Sequence, residues 1–111
     1  MSVNKVILLG YVGSDPEIRF PEKDMAVAYF TLATNDRYGA SQTEVTTWHY
    51  IVVTGQNARL AERYIRKGTR LYVEGKLRTR EYTDRFKIAR KRTEIIADFM
   101  EIVGRAQETA R

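Results

Sequence analysis

No cysteine occurs in these 111 residues, which excludes disulfide frameworks, thiol catalysis and Cys-ligated zinc. The single histidine, His49, cannot build a His-rich metal site, although one-His catalytic arrangements remain open. Only two prolines occur, no tract is of low complexity, and twelve aromatics argue against a disordered chain. Long apolar runs are missing as well. Val6-Ile7-Leu8-Leu9 is too short for a secretory core and leads straight into Gly10. A spanning helix would need about 18–20 apolar residues, so no membrane partner is expected and the cytoplasm is the default location. What is present, 43% hydrophobic residues, suffices for one core. A chain of this length buries roughly 60–70% of its unfolded surface.

Nineteen Lys and Arg stand against fourteen Asp and Glu, a net charge of +5. That charge is unevenly spread. Residues 1–75 hold nine basic and eight acidic side chains, and residues 93–111 hold two and four. Residues 76–92 hold eight basic (Lys76, Arg78, Arg80, Arg85, Lys87, Arg90, Lys91, Arg92) and two acidic (Glu81, Asp84), a balance of +6. Such a segment is either a solvated surface hairpin or an electrostatic footprint for phosphates.

Val3 to Val12 reads as a strand closed by Gly13-Ser14-Asp15-Pro16. A short extended piece, Glu17 to Phe20, precedes the turn Pro21 to Asp24, and Met25 to Thr34 reads as a second long strand. Asn35 to Thr43 reads as a polar connection, and Val45 to Thr54 as a strong strand. Over Gly55 to Lys67 the period changes: Leu60, Ala61, Tyr64 and Ile65 fall on one helical stripe, with Gly68 placed for the C′ position. Thr69 to Tyr82 and Arg92 to Val103 return to strand. Five strands with one helix between the third and fourth is the element order of the OB-fold, a Greek-key barrel. The expected organisation is one domain over residues 1–104, with 105–111 a short frayed tail.

Alternate residues of a strand share a face. Lys76, Arg78, Arg80 and Tyr82 therefore line one side of their strand, and Leu77, Thr79 and Glu81 the other. Three cations and a ring in a row match the phosphates and flat bases of a nucleic-acid strand; a charged outer wall with Tyr82 capping the core would give the same pattern. In the preceding strand Trp48, Tyr50, Val52 and Thr54 share one face, opposite His49, Ile51 and Val53. A lone tryptophan is most often core, yet the His49-Ile51-Val53 face is the more aliphatic one. With that face inward, Trp48 and Tyr50 stand on the outer wall, where stacked bases contribute about 1–3 kcal/mol each. His49 reads as a packed or subunit-interface histidine.

Gly10-Tyr11-Val12-Gly13 fits neither a Walker A nor a dinucleotide-binding spacing, so its glycines read as serving a bend or close packing. The carboxylates, Glu94 and Asp98 included, show no metal or acid–base spacing, with nothing converging on them. No catalytic residue, metal ligand or cofactor is expected.

Val3-Asn4-Lys5-Val6-Ile7-Leu8 with Gly10 and Gly13, and Asp15-Pro16-Glu17-Ile18-Arg19-Phe20, resemble the opening of bacterial single-stranded DNA-binding proteins. So do Ala26-Val27-Ala28 with Thr31-Leu32-Ala33-Thr34, Trp48-His49, Arg66-Lys67-Gly68, Leu71-Tyr72-Val73-Glu74-Gly75 and Leu77-Arg78-Thr79-Arg80. The resemblance runs from Val3 to about Val103. It implies an OB-fold homotetramer in the cytoplasm, associated with the nucleoid, that wraps single-stranded DNA during replication, recombination and repair. By motif position it places base-stacking aromatics at Tyr38, Trp48 and Tyr82, and cations along the DNA path at Lys5, Arg78, Arg80 and Lys67. A further aromatic position is Thr54 here.

Other departures bear on function. The Asn35–Thr43 connection is short for the family. The segment Asp84 to Arg92, with Arg85, Phe86 and Lys87, replaces a polar, Gly-containing hairpin. The tail lacks the acidic tip that recruits replication and repair proteins, which leaves such partners open. The reading is a sequence-independent single-stranded DNA binder, tail-less or truncated. Two alternatives remain: a dimeric primosome-type OB protein acting in protein–protein assembly, and an RNA-binding OB module.

Overall fold

The computed structural model describes residues 1–105. Its elements are β1 (Val6–Val12), β2 (Glu17–Glu22), β3 (Met25–Tyr38), β4 (Thr43–Thr54), α1 (Gly55–Tyr64), β5 (Arg70–Thr83) and β6 (Ala89–Gly104). The strands form one sheet in the order β1-β5-β6-β4-β3-β2, and β1 also pairs with β3, closing the sheet into a barrel. All neighbours are antiparallel except β4 and β6. Those two run parallel because α1 and β5 lie between them in the chain, the crossover that a parallel pair requires.

Closure depends on β1 serving two partners. It pairs with β5 from Val6 to Tyr11 and with β3 at Tyr11 and Val12. Gly10 lies at the crossing, against the Ala33 carbonyl, where any Cβ would overlap that oxygen. Close packing is thus the role of this glycine, as its place in an otherwise apolar strand suggests. Asn4 extends the β1–β5 ladder with its side chain, donating to the Leu77 carbonyl and accepting from the Leu77 N–H, both at 2.8 Å.

The inward residues follow strand alternation. Phe30 and Leu32 of β3, Ile51 and Val53 of β4, Leu71 and Val73 of β5 and Ile95 of β6 are buried together. Helix α1 closes one end of the barrel with small residues, Ala58 and Ala61, followed by Ile65 just past its last turn. The expected helical stripe divides here. Ala61 and Ile65 enter the core, while Leu60 and Tyr64 are exposed. The helix also ends at Tyr64, short of Lys67, and Gly68 instead sits in a turn in which Thr69 N–H bonds the Arg66 carbonyl.

Three boundaries differ from the sequence reading. Glu17–Glu22 is a full strand paired to β3, so the helix follows the fourth strand by chain count while the barrel order stands. The polar run from Asn35 does not leave the sheet: pairing continues to Tyr38↔Thr43, and only Gly39 to Gln42 form the turn. Cross-strand partners on this arm, such as Thr46 donating to Asn35 at 2.7 Å, keep it in strand form despite its polarity. The β5–β6 hairpin likewise runs on to Thr83↔Ala89. Of the expected tail, Arg105 follows β6 and residues 106–111 lie outside the described residues.

Candidate nucleic-acid interface

Register places side chains from four adjacent strands on one outer face. Thr31 of β3 is opposite Tyr50 of β4, Tyr50 is opposite Glu94 of β6, and Glu94 is opposite Arg78 of β5. Two residues along, Ala33 meets Trp48, and Arg80 meets Arg92. The two rows of the sequence reading therefore lie on one surface, flanking β6. Trp48 is 55% exposed and Tyr50 44%, whereas Ile51 and Val53 are buried, so the aliphatic face of β4 does turn inward. The Trp48 indole rests on Gly13.

Glu94 is the buried carboxylate on this face, with only 2% of its side chain exposed. One carboxylate oxygen lies 3.4 Å from an Arg78 guanidinium nitrogen and the other 3.4 Å from one of Arg80. Two partly exposed cations thus share one buried anion, which leaves a net positive charge at the surface. Sequence spacing had shown nothing converging on Glu94; the structure corrects that. The hairpin geometry held the missing signal, because counting pairs outward from the turn at residues 84–88 brings Arg78 opposite Glu94 and Arg80 opposite Arg92.

Arg92 is one of the cations of the basic segment in the sequence, and the structure adds that its partners are rings. Its guanidinium carbon lies 4.6 Å from the Tyr50 ring centroid and 5.4 Å from that of Tyr82. Tyr50, Arg92 and Glu94 also line a cleft of about 340 Å³ with Ser14, Tyr29 and Thr31.

The tip of the β5–β6 arm is ordered by Asp84. Its Oδ1 accepts the N–H groups of Phe86 (2.8 Å) and Ile88 (3.0 Å), and its Oδ2 accepts Arg90 Nε at 3.0 Å. These bonds, that of Ile88 foremost, hold its carboxyl below the usual value of 3.8. The turn closes with Lys87 in the left-handed region, φ 62°, the place where a hairpin of this kind favours glycine. Phe86 stands exposed at the tip with the Arg85 guanidinium 5.0 Å from its ring.

The remaining candidates divide. Lys76 is exposed on β5, on the Arg78 side by alternation. Lys5 donates to Glu74 at 3.1 Å, so its charge is already matched. Glu74 also accepts the Tyr72 hydroxyl, which lowers the carboxyl pKa and raises that of the phenol. Tyr38 is exposed, but alternation along the arm puts it with Asp36 and Val45, on the face opposite Trp48. His49 is half-buried, 2.9 Å from Thr34 Oγ1, and burial lowers its pKa against the opposing charge of Asp36. Among the described residues no three His, Asp or Glu side chains gather as a metal site, and no helix is long and apolar enough to cross a membrane.

Residues 3–103 match the single-strand binding protein family. The chain belongs to that family. It is 46% identical over 109 residues to a single-stranded DNA-binding protein of Bacteroides thetaiotaomicron, a match that covers 94% of this chain and 68% of the relative. Among solved structures it is similar to a Plasmodium falciparum SSB in complex with ssDNA, with a TM-score of 0.81 and 37% identity. That match covers 94% of this chain and 96% of the other. The family membership and the OB-fold barrel agree with the sequence reading, and the shared face across β4, β6 and β5 brings together Trp48, Tyr50, Tyr82, Arg78 and Arg80 of its candidates, while Tyr38 and Lys5 lie apart from them.

Proposed function

We propose that this protein binds single-stranded DNA without regard to base sequence and protects it during replication, recombination and repair. One observation carries the reading: a single outer face holds Trp48, Tyr50 and Tyr82 interleaved with Arg78, Arg80 and Arg92. Bases stack on the rings, at about 1–3 kcal/mol each and with little dependence on base identity. Phosphates are neutralised by Arg78 and Arg80, with Lys76 beside them and Arg85, Phe86 and Lys87 extending the track along the arm. Tyr38 meets the strand on the other side of the β3–β4 arm, and Lys5 contributes once Glu74 releases it. No bond is made or broken, so the role is binding and not catalysis. A protein in this role works on the nucleoid in the bacterial cytoplasm.

Self-assembly belongs to the same reading. Ile7, Leu9 and Tyr11 form an exposed row on β1, beside Tyr72 of β5 and Phe99 of β6, whose rings meet edge to face at 6.1 Å. β1 pairs with β3 only at Tyr11 and Val12, so the other edge of Val6 to Gly10 is unpaired within the described residues. A free edge beside an apolar face suits a second copy of the chain, and a tetramer covers both.

Titration with oligo-dT at low salt, followed by the emission of Trp48, tests the binding. Quenching is expected, with log K falling against log[salt] at a slope of about −0.7 per phosphate contacted. Absence of quenching overturns the reading. Preference for a matched RNA oligonucleotide points instead to recognition of the 2′-hydroxyl.

A further inference from the structure

The arginines facing this surface are held in two different ways. Arg78 and Arg80 share Glu94, and Arg90 is bound to Asp84. Arg92 has no carboxylate among its ion pairs within the described residues. It is held by rings, with its guanidinium carbon 4.6 Å from the centroid of Tyr50 and 5.4 Å from that of Tyr82. Those rings stand on β4 and β5, which are not neighbours, and β6 with Arg92 runs between them.

We infer that Arg92 is a positioning residue for base stacking: its planar guanidinium joins Tyr50 and Tyr82 into one platform, rather than serving as a further phosphate contact. A guanidinium is flat, permanently charged and weakly hydrated, so it can present a face to each of two rings, whereas an ammonium is a compact, strongly hydrated point charge. Tyr50 is 44% exposed, and Arg92 is the cation that lies over its ring. The ligand is a pair of successive bases of single-stranded DNA, stacked on ring faces that point away from Arg92. The inference rests on the DNA-binding reading above and deepens it.

Substitution by lysine separates charge from shape. Arg92→Lys keeps the charge, so its salt slope with oligo-dT equals that of the unmodified protein, while affinity falls about three- to thirtyfold. Arg92→Ala falls by a similar factor, and adding Tyr50→Ala to it costs less than Tyr50→Ala costs alone. In the protein without DNA, the aromatic NMR signals of Tyr50 and Tyr82 both shift in Arg92→Lys, a readout that needs no binding. The inference is overturned if Arg92→Lys binds as tightly as the unmodified protein while Arg92→Ala lowers the salt slope by about 0.7, the mark of a plain phosphate contact. Unmoved Tyr50 and Tyr82 signals in Arg92→Lys overturn it too. Failure of the unmodified protein to bind oligo-dT at all is a separate result, which removes the function and leaves the ring geometry to be judged by NMR.

Discussion

Gly13 and Trp48 share one volume: the indole lies where a side chain on Gly13 would have to be. A Cβ there would overlap Trp48 Cζ3 and approach Thr31 Oγ1 to 2.7 Å. The glycine that follows β1 thereby leaves room for the six-membered edge of the indole of β4, and Gly13 N–H is anchored to the Thr31 carbonyl at 2.9 Å.

Gly13→Ala should lift the indole. Overpacking costs about 1–3 kcal/mol in a closed core; here the ring is half-exposed and can move, so the lower end is expected. Binding should weaken more than folding, because the ring leaves its place on the face. Trp48 emission, the only tryptophan signal, and a urea melt measure the two effects. Unchanged emission together with unchanged oligo-dT affinity contradicts the prediction.

Glu94 makes Arg78 and Arg80 interdependent. Arg78→Ala or Arg80→Ala alone leaves one cation on the buried carboxylate, whereas the double variant leaves none. The double variant should lose about 1–3 kcal/mol beyond the sum of the single losses, and Glu94→Gln in that background should restore part of it. A double-mutant cycle by urea unfolding checks this, and simple additivity would refute it.

Asp84 gives the arm a pH signature. Its folded pKa is depressed, so its contribution is fully present above the unfolded carboxylate value and is lost as pH falls through the folded one. Asp84→Asn should therefore melt below the unmodified protein at pH 7, with the gap narrowing as the pH drops below about 4. A gap that is the same at pH 7 and pH 3 would show that the charge of Asp84 contributes nothing to the turn.

The row of Ile7, Leu9 and Tyr11 should govern assembly. Leu9→Lys puts a charge in the centre of that row on a residue 46% exposed, so the fold of the single chain should persist. Native mass should fall from an oligomer to the 12.9 kDa chain. An unchanged oligomer would place the contact elsewhere.

Much of the barrel was legible because its strands alternate plainly. Ile51 and Val53 against Trp48 and Tyr50 announce which side of β4 is wet, and the period change after Thr54 marks the helix. Strands are less legible where polar residues are held by pairing: nothing in Asn35 to Tyr38 needs burial, which gives it the composition of a loop, yet cross-strand partners keep it extended. The helical stripe is less legible at Leu60 and Tyr64, because Ala58 and Ala61 let the helix sit close and turn its larger side chains outward. At the candidate site, residue type exposed the rings and the cations. Their partners depended on register, which residue type does not carry, so Glu94 looked idle and Arg92 was one cation among many.

The parallel junction of β4 with β6 rests on three pairs, Tyr50↔Glu94, Ile51↔Ile95 and Val52↔Ile96. Trp48 and Tyr50 belong to the hairpin on one side of it, and Arg78, Arg80, Tyr82 and Arg92 to the hairpin on the other. Each hairpin has its own local turn, but the surface that joins them cannot exist until chain segments some forty residues apart have met, at a cost in loop-closure entropy. A chain in which β4 and β6 have not paired therefore carries its rings and its arginines on two separate hairpins, and the face is complete only in the closed barrel.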